Sequence, residues 1–165
     1  MQEFEFRHCF PLPPIELVNW IDDSGFRRYL IEHLGTIRQS DRLVYEDSPT
    51  QRRKIVRVYP DLHLPAWIER ALKHREPYFE MNYVLDKETM IETVSGEARI
   101  GKLNGKTLYE PDGRGGTIRR FKGSFECEVR LVGRAVERFY MARMAGMYDR
   151  EADLTQQYID RRSAA

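Results

Sequence analysis

The sequence predicts an α+β fold in which a curled antiparallel sheet of about seven strands is closed by a long C-terminal helix. Three observations carry that prediction. From Phe121 to Leu131 every second residue is apolar or glycine and every intervening one polar, which marks a strand with one wet face. Beyond Leu131 the period changes, and Val132, Ala135, Val136, Phe139, Tyr140, Met147, Leu154 and Tyr158 fall on one side of a 3.6-residue helix. Upstream, strand-like runs follow one another through short turn-forming connections, which suits antiparallel neighbours. A long amphipathic helix must lie against an apolar surface, and the nearest is the inner face of the sheet to which its own strand belongs.

The elements follow in order. Phe4, Phe6, His8 and Phe10 alternate with Glu3, Glu5, Arg7 and Cys9, a half-buried first strand. Pro11, Pro13 and Pro14 end it and suit the first turn of a helix, whose inner side is Ile15, Leu17, Val18, Trp20 and Ile21. Asp23 or Ser24 can cap a second helix carrying Phe26, Tyr29, Leu30 and Leu34, which Gly35 stops. Strands from Thr36 to about Glu46 and from about Arg52 to Tyr59 form a hairpin around Asp47-Ser48-Pro49-Thr50. A short helical insert runs from Leu62 to Leu72, with Pro65 at its start and Trp67, Ile68, Ala71 and Leu72 on one side. Strands Tyr78 to Asp86, Thr89 to about Ala98 and Lys102 to Glu110 come next, and the turn from Pro111 to Gly116 leads into the last strand.

At 165 residues the chain is read as one domain, 1–165, large enough to bury a sizeable core. Its 27 basic and 26 acidic side chains give a net charge of +1, which argues against a general electrostatic grip on nucleic acid. Cys9 and Cys127 make no disulfide scaffold, and no basic-then-apolar leader opens the chain, so a cytoplasmic location is expected. The basic runs Arg52-Arg53-Lys54 and Arg119-Arg120 with Lys122 read as solvated faces, with a peripheral contact to anionic lipid as the functional alternative.

Phe10-Pro11 followed by Ile15-Glu16-Leu17-Val18 and Phe26, Arg57-Val58-Tyr59-Pro60 followed by Leu64-Pro65, and Gly133 with Glu137 at the last helix resemble the START-like helix-grip superfamily. That superfamily includes StAR-related lipid-transfer domains, birch-pollen-allergen relatives and polyketide cyclases, and the chain looks most like a bacterial branch of it with no assigned function. The resemblance covers nearly the whole chain in element order. It implies two short N-terminal helices, a long C-terminal helix across the concave face of the sheet, and a hydrophobic or amphipathic small molecule, such as a lipid, held between them.

The inner faces offer Phe4, Phe6 and Phe10; Ile55 and Tyr59, or else Val56 and Val58; Phe79, Met81, Tyr83 and Leu85; and Phe121, Phe125, Cys127 and Val129. Phe139, Tyr140 and Met147 face them from the helix. These side chains either line a cavity or meet in a dry core. Gly123 in mid-strand favours a bend or a close approach. Arg143 and Arg150 fall in the middle of the helix's apolar side, so Arg143 either points toward the sheet, to a carboxylate or a ligand's anionic head, or snorkels to water. The expected ligand-contacting set is therefore Phe6, Tyr59, Trp67, Phe79, Met81, Tyr83, Phe121, Phe125, Phe139, Tyr140, Arg143 and Met147, with the Leu62 to Leu72 insert as a lid. His8 reads as a hydrogen-bonded core residue and Cys127 as a small apolar filler. His33, His63 and His74 have no partner at metal spacing, and phosphate-loop, dinucleotide and nucleophile-elbow motifs are missing. No catalytic residue, metal or cofactor is expected. Two rival classes remain: a polyketide cyclase or dehydratase using cavity Tyr, His8 or Arg143 as acid and base, and a partner-binding module with a filled core.

Overall fold

The computed structural model describes residues 1–61, 65–71, 78–98, 101–127 and 133–165. Its strands are β1 (Gln2–Phe10), β2 (Ile37–Asp47), β3 (Gln51–Pro60), β4 (Phe79–Asp86), β5 (Ile91–Ala98), β6 (Gly101–Pro111) and β7 (Thr117–Cys127). They form one antiparallel sheet in the order β1-β7-β6-β5-β4-β3-β2. Helices α1 (Pro14–Ile21) and α2 (Ser24–Leu34) bridge the two edge strands, α3 (Ala66–Ala71) lies between β3 and β4, and α4 (Gly133–Ala164) runs to the C-terminus. The curled sheet and long final helix make the helix-grip architecture that the sequence predicts.

Local chemistry sets the boundaries. Pro14 occupies the first turn of α1, where its missing N–H costs nothing. The Asp23 carboxylate accepts from the Gly25 and Phe26 amides at 3.0 and 3.2 Å to start α2, and Gly35 ends it at φ 71°. β5 begins two residues later than expected. The Asp86 carboxylate accepts from the Glu88 and Thr89 amides, folding residues 87–90 into a turn. The expected inward residues Val129, Leu131 and Val132 lie outside the described residues, as do Leu62, Leu64, Leu72 and the Ile68 side chain.

Three apolar clusters build the interior. The N-terminal half of α4 sets Val136, Tyr140 and Met144 against Phe4, Met81, Val94, Leu103, Phe121 and Phe125 of the sheet. Its C-terminal half packs Ala152 and Ile159 with Phe10, Leu17, Val18, Leu85 and Tyr109, and Leu154 with Phe26, Tyr29 and Leu34 of α2. The inward row on α4 runs Val136, Tyr140, Met144, Tyr148, Glu151, Thr155 and Ile159, a ladder of fours with one step of three. Glu137 joins this helix to the sheet, accepting the Cys127 amide at 3.0 Å, a bond that lowers its carboxyl pKa.

Gly123 lies opposite Phe4 on β1 and Gly105 on β6. A Cβ there would stand 2.8 Å from the Phe4 ring and 2.9 Å from the Gly105 Cα, and would strike the Asn104 carbonyl. Of the two alternatives at this position, a bend or a close approach, the structure contains the close approach. Gly123→Val is expected to destabilise the fold by ~1–3 kcal/mol through overpacking, measured by urea denaturation.

Candidate ligand cavity

A cavity of about 240 Å3 lies where the three clusters meet, beneath α2 and α4 and bordered by β2 to β7. Its apolar wall includes Phe26, Leu30, Leu34, Val56, Val94, Phe121 and Met147. Its polar wall carries Asp22, Lys54, Glu92, Thr107, Arg119 and Glu151 with Tyr83, Tyr109 and Tyr148. Two groups of charge are therefore held inside the fold.

The first is centred on Asp22, the C-cap residue of α1 and only 7% exposed. One carboxylate oxygen accepts from Arg52 Nη1 at 2.9 Å and the other from Lys54 Nζ at 2.6 Å. Lys54 also meets Glu92 at 3.3 Å, and the Tyr109 hydroxyl donates to Glu92 at 3.3 Å. Arg52 is further held by Asn19 at 2.8 Å and Asp47 at 3.0 Å. Burial opposes the Lys54 charge, but Glu92 and Asp22 outweigh it and hold the ammonium pKa above the usual lysine range. The second group is a two-pronged pair in which Arg119 donates to Glu151 at 3.0 and 2.6 Å, with the Thr155 hydroxyl alongside. Burial pushes the Tyr83 phenol up to about 12 and those of Tyr109 and Tyr148 well above their ordinary value.

Of the expected contact residues, Tyr83, Phe121 and Met147 line the cavity. Phe6, Phe79, Met81, Phe125, Phe139 and Tyr140 instead belong to, or pack against, the cluster beneath the first half of α4. There the Tyr140 hydroxyl has no hydrogen-bond partner among the described residues, and burial raises its pKa to about 12. Tyr59 is on the wrong face: register sets Arg52, Lys54, Val56 and Val58 opposite the inner residues of β4, so Arg57 and Tyr59 point outward. Trp67 on α3 is 39% exposed.

Arg143 does not point toward the sheet. It is exposed, with its guanidinium 4.8 Å from the centre of the Phe139 ring, because the ladder of fours turns Met144 inward and leaves Arg143 beside it at the rim. Arg150 is exposed too. Among the described residues the buried arginines are Arg52 and Arg119, and both lie in runs that the sequence suggested were solvated. Strand parity was the available signal: Arg52 and Lys54 share a face with Val56 and Val58, and Arg119 shares one with Phe121. His8 bonds Asp149 at 2.9 Å from the inner side of β1, away from the cavity lining. Among the described residues no cluster could hold a metal ion, and no helix is long and apolar enough to cross a membrane.

Solved structures similar to this chain share its fold. A Thermus thermophilus protein matches with TM-score 0.70 and 13% identity over 94% of this chain and 95% of its own. An aromatase/cyclase from a Streptomyces species matches with TM-score 0.71 and 11% identity over 98% and 95%. A START superfamily protein from Mycobacterium smegmatis matches with TM-score 0.58 and 10% identity over 96% and 97%. At such identities the likeness establishes a START-like fold. No curated protein matches the chain. The family described as "Protein of unknown function (DUF2505)" matches residues 5–159, nearly the whole chain, and to that family this protein belongs.

Proposed function

We propose that the protein binds a small hydrophobic or amphipathic molecule in the cavity beneath α2 and α4, and binds it without transforming it. The observation that carries this reading is the half-open space of about 240 Å3 where the three apolar clusters meet. It exceeds the roughly 150 Å3 that holds a benzene and falls below the range of about 300–1,000 Å3 for drug-sized ligands. A single short chain or one ring system suits it better than a two-tailed lipid. The similar structures named as an aromatase/cyclase and a START superfamily protein have the same fold, which supports a small-molecule role for this cavity.

The cavity's titratable groups support binding over acid–base chemistry. Asp22, Glu92 and Glu151 are each engaged by a cation or hydroxyl, and the Lys54 and Tyr83 shifts move those groups away from neutrality. General acid–base catalysis at neutral pH works best with a group whose pKa lies near 7.

Native mass spectrometry of gently purified protein is expected to show a 1:1 adduct, or to show one when short amphiphiles are added. Val56→Phe, which extends a ring from a half-buried wall residue into the space, is expected to abolish the adduct and leave the melting temperature within a few degrees. Failure to observe any adduct, with or without added amphiphiles, removes the proposal.

A further inference from the structure

We infer that the ligand carries an anionic headgroup, a carboxylate or a phosphate, and that Arg27 of α2 and Arg42 of β2 hold it at the cavity wall. This rests on the cavity being a binding site and adds the chemistry of one end of its occupant. The lining contains four cationic side chains, Arg27, Arg42, Lys54 and Arg119, against three acidic ones, Asp22, Glu92 and Glu151. All three carboxylates are consumed within the wall. Asp22 is shared by Arg52 and Lys54, Glu92 is taken by Lys54 and Tyr109, and Glu151 by Arg119.

Arg27 and Arg42 are what is left over. Among the described residues neither has an ion pair; each donates to a backbone carbonyl, and the Arg42 guanidinium also lies 4.5 Å from the centre of the Tyr45 ring. Arg42 Nη2 donates to the Asp22 carbonyl at 2.7 Å, and Arg27 Nη2 makes long bonds of 3.3 and 3.4 Å to the Ser40 carbonyl and hydroxyl. Asp41, whose charge reaches Arg27, is occupied by Gln39 at 2.9 and 3.0 Å. The Arg42 Nε is shielded from solvent with no hydrogen-bond partner among the described residues. Arg57 and Arg120 also have an unpartnered Nε, but each meets a carboxylate on the outer face.

A guanidinium presents five donors in a planar fork, and a second guanidinium close by raises the cost of leaving both unneutralised. Burial and the Arg42 charge lower the Arg27 pKa and outweigh the opposing charges of Asp22 and Asp41. An anion seated between the two forks would meet those unused donors, with its apolar end extending past Leu30 and Val56 toward Phe121.

Isothermal titration calorimetry with octanoate, octyl phosphate and 1-octanol tests this. One of the two anions is expected to bind at least tenfold more tightly than the alcohol, and the better of the two identifies the headgroup. Arg27→Gln is expected to reduce that preference to less than threefold while leaving the affinity for 1-octanol unchanged. Arg27 serves better than Arg42 here, because Arg42 also ties β2 to the end of α1. Equal binding of alcohol and anions overturns the headgroup assignment and leaves the cavity reading standing, whereas no binding of any of the three removes both. An Arg27→Gln protein that folds and keeps the full preference overturns the placement of the anion.

Discussion

Asp22→Ala is expected to destabilise the protein by ~3–5 kcal/mol, among the largest effects of any single polar substitution. The side chain neutralises Arg52 and Lys54 at once, at 2.9 and 2.6 Å, and the two cations are 6% and 8% exposed. Removing it leaves Lys54 with Glu92 alone at 3.3 Å and Arg52 with Asp47 at its outer end. For a domain of this size that corresponds to a melting temperature lower by about 10 °C, read by calorimetry or circular dichroism. The exposed Arg53–Glu46 pair, at 3.7 Å on the other side of the same strand, is the internal comparison, and Glu46→Ala is expected to cost under ~1 kcal/mol. If the two substitutions cost the same, water reaches the Asp22 cluster and the interior is not charged in the sense described here.

The architecture was legible because its signals are local. Prolines after Phe10, Asp23 before α2 and Gly35 after it act on the backbone within a few residues, and alternation within each strand marks the face that turns inward. Where reading by local pattern fell short, two patterns competed. Thr89 and Met90 look like the first residues of a strand, but the carboxylate of Asp86 captures the amide of Thr89 and delays the strand to Ile91. On α4, apolar residues are spread around the circumference, since the helix faces the sheet along its length and in its second half meets α1 and α2 as well. A single averaged face placed Arg143 at its centre; the actual ladder of fours passes through Met144.

The site was legible only in part, and for a different reason. Its apolar wall could be anticipated in part, from Phe121 and Met147, but its charges depend on partners far away in the chain. Asp22 lies 30 residues from Arg52, and Arg119 lies 32 from Glu151. In isolation Arg52-Arg53-Lys54 is indistinguishable by composition from a wet basic run. Parity separates its middle residue from the outer two, which share the face of Val56, yet accepting charge on an apolar face requires a known counter-charge. No single-sequence pattern supplies one. Gly123 shows the converse case, because a missing side chain in mid-strand is informative whatever its neighbours are.

Arg119→Met is expected to cost ~3–5 kcal/mol, and adding Glu151→Leu to it is expected to restore most of that loss. Glu151 has both carboxylate oxygens on the guanidinium, and with Arg119 gone the hydrogen bond left to it among the described residues is the long one, 3.4 Å, from the Thr155 hydroxyl, which already donates to the Glu151 carbonyl at 2.7 Å. An apolar pair of similar volume avoids the desolvation that both ions suffer, so the double variant should lie within ~1 kcal/mol of the parent, and the cycle should show a coupling of at least ~2 kcal/mol. Urea denaturation of the four proteins measures it. A double variant no more stable than Arg119→Met would show that the pair contributes directly to holding α4 on β7. If stability returns but uptake of the octyl probes falls, the ion pair is retained for its effect on the cavity rather than for folding. That outcome would explain why a helix held mainly by apolar contacts keeps a salt bridge beneath it, facing the cavity.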